Sequence, residues 1–173
     1  IQFFQRIIKK NTELSAVVKS AAYGLGIAKI VPEIERYGVR SFFTATISEA
    51  IKVRSYSRDS EIFTLNGFDF LKSNLYREHN ITPIINNILE AQKFIEIFNQ
   101  TQKVAIQLNT GMNRLGLDKQ SLLKNIDIIK SLPLNLILSH LACADDTSNK
   151  ENTAQKDLFI KFCQILPNIR QSL

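Results

Sequence analysis

Short apolar runs rich in β-branched and aromatic residues alternate along this chain with stretches whose apolar positions recur at helical spacing. The runs are Leu14–Lys19, Ser41–Ala45, Glu61–Leu65, Ile81–Ile85, Val104–Leu108 and Leu134–Ser139. Each predicts a strand. Between them Ile27, Ile30, Val31 and Ile34, then Ile88, Ala91, Phe94, Ile95 and Phe98, then Leu122, Ile126 and Ile129, and last Ala154, Leu158, Phe162 and Ile165 each fall on one helical face. Pro32 lies inside the first of these and argues against a regular helix there. Asp118 is placed to cap the helix carrying Leu122, and Asn149 or Thr147 to open the last. Such a βα repeat predicts a parallel sheet covered by helices, either a barrel or a doubly wound sheet.

Length bears on that choice. A complete eight-stranded barrel takes about 250 residues, or roughly 31 per βα unit, so this chain would hold about six units. On pattern alone a complete doubly wound domain is the default. The unusual residues, however, fall at the C-terminal ends of the predicted strands, where both architectures place their sites. The 173 residues suit one domain, and 45% hydrophobic with 22% charged residues describes a soluble globular chain. No apolar run approaches the roughly 18 residues of a membrane span, and IQFFQRIIKK lacks the layout of a signal peptide. The reading is a cytoplasmic protein with no membrane partner. The net charge of +6 suits an anionic ligand such as a phosphate-bearing small molecule. Its lysines and arginines are dispersed, which argues against nucleic acid. Cys143 and Cys163 lack metal-ligand spacing and read as reduced thiols, so no metal site is expected.

Three places carry candidate chemistry. Lys19 closes the apolar run Ala16-Val17-Val18 just before a turn on Gly24 and Gly26. A desolvated lysine has the reactivity an amine nucleophile needs, whereas a lysine snorkelling from a strand end has none. The loop Asn109-Thr110-Gly111-Met112-Asn113-Arg114-Leu115-Gly116 sets an arginine with five fixed donors between two glycine turns, directly after a strand. Its alternative is a surface arginine in a tight connection. His140 ends the sixth predicted strand, as a site residue or a structural histidine, while His79 between Glu78 and Asn80 reads as surface.

AVVK followed by AYGLG, then NTGMNRLG, then SHLACADD resembles, in that order, the amino-terminal barrel domain of alanine racemase, a fold-type III pyridoxal 5'-phosphate enzyme. The resemblance covers essentially the whole chain, residues 1–173. It implies a (β/α)8 TIM-type barrel, incomplete here with about six βα units, without the last two strands and the carboxy-terminal β-domain of the family. It further implies that Lys19 forms the cofactor's internal Schiff base and acts as a catalytic base, that Tyr23 reaches the cofactor phosphate, and that Arg114 donates to the cofactor's phenolic oxygen and helps hold the substrate carboxylate. His140 would orient an arginine facing the pyridine nitrogen. The implied reaction interconverts L- and D-alanine for peptidoglycan, in a homodimer when full length. The chain alone would be weakly active or inactive. Three positions depart from the family pattern: Gln107 stands for a lysine carbamylated in relatives, Asn109 for the usual aspartate, and Ala21 for an Asp or Asn. A neutral Gln107 would give Arg114 a weaker bond than a charged partner. Two other readings remain, a pyridoxal-phosphate-binding barrel of the small homeostasis family and an inactive relic of a split gene.

Overall fold

The computed structural model describes residues 1–173. Its strands are β1 (Ala16–Val17), β2 (Ser41–Thr44), β3 (Glu61–Thr64), β4 (Thr82–Ile85), β5 (Val104–Gln107), β6 (Leu134–Leu138) and β7 (Arg170–Ser172). Every ladder is parallel, and the strand order is the sequence order. Sequential parallel strands joined by helical crossovers are the arrangement of a (β/α)8 barrel, with seven of its eight strands here. A doubly wound sheet would reverse its order at a switch point, and no reversal occurs.

The six predicted strands are present, and β7 is a seventh that the sequence pattern does not reveal. Arg170-Gln171-Ser172 carries no apolar run that would mark it, and pairs with Leu136, Ile137 and Leu138 of β6. By contrast β2, β4 and β5 are buried at every position, as a sheet covered on both faces requires.

The chain divides into two compact units, Ile1–Pro83 and Ile84–Leu173. In the first, Phe43 of β2 stacks on Phe63 of β3 with ring centroids 4.8 Å apart. The helix Ile27–Arg36 runs unbroken through Pro32, burying Ile27 and Val31, so its apolar face outweighs the one backbone bond that proline removes. Helices Ile47–Arg54 and Ser73–Glu78 are additional to those expected from spacing. Arg54 fixes this unit's loops, donating to the carbonyls of Ser57, Arg58, Ser60, His79 and Asn80 at 2.8–2.9 Å. Desolvation holds its pKa below the ordinary arginine value. In the second unit, Asp118 and Asn149 cap their helices, as expected, through Ser121 N–H and Glu151 N–H. Phe94, Phe98, Phe159 and Phe162 fill the helix layer. No helix is long and apolar enough to cross a membrane.

Candidate functional site

Lys19 follows the end of β1, which is shorter than the predicted strand, and opens a turn of unusual hand. Ser20, Ala21, Ala22 and Tyr23 have φ between 51° and 55°, one turn of left-handed helix made without glycine, and Gly24 closes it at φ 86°. Each L-residue held there costs about 1–2 kcal/mol, so the surroundings must enforce the conformation. One enforcing contact comes from the helix Ile47–Arg54. Glu49 Oε1 accepts the Ser20 N–H at 2.8 Å, while Oε2 accepts the Ala45 N–H at 2.7 Å and completes a capping box with Thr46.

The turn brings Lys19 and Tyr23 together, with Lys19 Nζ 5.9 Å from the centre of the Tyr23 ring. Lys19 is half-buried and Tyr23 is 63% exposed. The amine is therefore not sealed in the apolar environment that the sequence suggests. A phenol beside it is its distinguishing neighbour.

In the second unit the loop after β5 is built as sequence spacing implied, for reasons of close contact. Asn109 Oδ1 accepts the N–H groups of Gly111 and Asn113, both at 3.1 Å, and its Nδ2 donates to Asn113 Oδ1 at 3.0 Å. The amide thus accepts both backbone bonds and also donates to a side chain, which a carboxylate cannot do. The loop returns so that Leu117 N–H donates to the Gln107 carbonyl at 2.9 Å. Gly116, at φ 102°, lies so near that a Cβ there would stand 2.8 Å from that carbonyl oxygen. Gln107 is buried on β5, whereas Arg114 projects from the loop and is exposed.

His140 follows β6 and is exposed. What joins its loop to the Arg114 loop is Gln155, a residue sequence reasoning passes over. It is 1% exposed; its Nε2 donates to Thr110 Oγ1 and to the His140 carbonyl, and its Oε1 accepts the Ala142 N–H. Thr110 and Ser139 share a hydroxyl bond of 2.8 Å, and Ser139 Oγ donates to the Leu108 carbonyl. A glutamine on a polar stretch of helix gives no sequence signal beyond a break in the exposed pattern. Glu49 does carry one, the Thr46-x-x-Glu49 spacing of a capping box.

The alanine racemase N-terminal domain family matches residues 1–172. Alanine racemases of Rickettsia akari (strain Hartford) and Rickettsia africae (strain ESF-5) are each 34% identical over 173 residues, covering 96% of this chain and 49% of theirs. The crystal structure of alanine racemase from Bartonella henselae with covalently bound pyridoxal phosphate is 35% identical with a TM-score of 0.87, covering 94% of this chain and 49% of that one. The biosynthetic alanine racemase of Pseudomonas aeruginosa is 26% identical with a TM-score of 0.82, covering 92% and 46%. The chain spans about half the length of the curated relatives it matches. With nearly every residue inside the matched family, this chain belongs to the alanine racemase N-terminal domain family.

Proposed function

We propose that this chain is the lysine-bearing part of a pyridoxal 5'-phosphate-dependent alanine racemase, serving D-alanine supply for peptidoglycan. The observation that carries the reading is Lys19 standing over Tyr23 in the left-handed turn after β1, in a chain of this family. In the first unit the chemistry of the neighbouring pair suits the cofactor, a primary amine for its aldehyde and a phenol for its phosphate, and the Arg114 guanidinium of the second unit is of a type suited to an anionic oxygen. When bound, the cofactor supplies an electron sink that acidifies the α-proton of the amino acid.

The residues then divide the work. Lys19 would hold the cofactor through its Nζ amine. The same amine would take the substrate's α-proton on one face and return it. Tyr23 would donate its hydroxyl to the phosphate. Arg114 would pair with the substrate carboxylate, for which its planar guanidinium is suited. His140, its carbonyl fixed by Gln155, would orient the arginine that faces the pyridine nitrogen in the family. Inversion requires a second base on the opposite face.

A base on one face exchanges the α-proton of one enantiomer without needing the other base. With the cofactor in D2O, the chain should exchange the α-proton of one alanine enantiomer faster than that of the other, and Lys19→Ala should reduce both to the rate of free cofactor. Exchange unaffected by Lys19→Ala would overturn the assignment.

A further inference from the structure

We infer that Glu49 is a positioning residue for Lys19, an inference that rests on the reading of Lys19 given above. The Ser20 N–H that Glu49 accepts belongs to the residue next to Lys19, at the first left-handed position of the turn. The same carboxylate holds the Ala45 N–H just past β2, so its two oxygens clamp the chain after β1 to the chain after the neighbouring strand. A capping box alone uses only the Thr46 half of this arrangement, through Thr46 N–H at 3.4 Å and the return bond from Glu49 N–H to Thr46 Oγ1 at 3.3 Å. The two shorter bonds, at 2.8 and 2.7 Å, go elsewhere. Charge-assisted bonds to a carboxylate are the stronger kind, so the carboxylate spends its best geometry on the Lys19 turn and the β2 end. Ser20 to Tyr23 carry four consecutive positive φ angles without glycine, and releasing Ser20 lets that strain relax toward the ordinary right-handed region. Relaxation would swing Lys19 Nζ away from Tyr23.

The test uses the full chain, pyridoxal 5'-phosphate titrated against the visible absorbance of the lysine-bound cofactor, and borohydride reduction with peptide mapping. Glu49→Ala should weaken cofactor binding at Lys19 by about tenfold or more, the effect of losing a charge-assisted bond. The mapped label should shift toward surface lysines. Glu49→Gln, which keeps one acceptor oxygen, should lie between this variant and wild type. Thr46→Ala, which removes the cap hydroxyl and leaves the Ser20 bond, should lower Tm yet keep wild-type labelling and absorbance. Lys19 labelling unchanged in both Glu49 variants overturns the inference alone. Loss of labelling in Thr46→Ala equal to that in Glu49→Ala also overturns it, because helix stability would then be the cause. Labelling of the wild-type chain spread over other lysines overturns the Lys19 reading, and this inference with it.

Discussion

Gln155 Nε2 donates to the Thr110 hydroxyl at 3.2 Å across 45 residues of sequence, joining the helix Lys150–Ile165 to the loop that carries Arg114. The same amide holds the loop of His140. Gln155→Leu keeps the volume and removes three hydrogen bonds, one buried and two part-buried. It should lower unfolding free energy by about 2 kcal/mol, the scale of losing two or three neutral hydrogen bonds. Urea unfolding measures this, and a change near zero would show that water replaces those bonds.

Ala21 should be a site of easy stabilisation. It is exposed, held at φ 54°, and has no side chain able to bond its own backbone. Asparagine tolerates the left-handed region better, so Ala21→Asn should raise stability by about 0.5–1 kcal/mol. A thermal melt showing lower Tm would mean that the turn relies on alanine for another reason.

Asp118 makes a small part of the stability depend on acid. Its backbone bond from Ser121 N–H draws its pKa below the ordinary 3.8. A carboxylate depressed on folding contributes fully above its unfolded pKa and loses that contribution as pH falls through the folded value. Asp118→Asn retains a cap acceptor without the charge, so its stability relative to wild type should improve as pH drops below about 4. Parallel denaturation curves at pH 7 and pH 3 test the sign. An identical difference between the two proteins at both pH values would contradict it.

The two cysteines should separate by reactivity. Burial pushes the Cys163 thiol up to about 11, and Cys163 packs in the helix Lys150–Ile165, while Cys143 is only half-buried. The thiolate is the reacting form. A maleimide at neutral pH should label Cys143 well ahead of Cys163 in the native protein, with equal labelling only after denaturation.

These residues also mark what could be read without coordinates. The strands from Ser41 to Leu138 were legible because burial on both faces demands continuous apolar runs, and the caps at Asp118 and Asn149 because their chemistry is local. Strand Arg170–Ser172 was hidden by its polar composition, and helix Ile47–Arg54 by a weak apolar face, although Thr46 and Glu49 announced its start. Lys19, Arg114 and His140 stood out by residue type beside strand ends. The left-handed run from Ser20 to Tyr23 did not, because only Gly24 advertises a positive φ. Gln155, and the reach of Glu49 beyond its own cap to the Ser20 N–H, escape a sequence reading because those backbone groups are distant in sequence and one chain carries no trace of such partners.

Arg54 has a kinetic consequence as well. One guanidinium closes the segment from Ser57 to Ser60 and the pair His79–Asn80. Opening either segment costs this guanidinium part of its bonding while the other segment still holds it. The two segments are thus tied through one side chain, and Arg54→Ala should speed amide exchange in both.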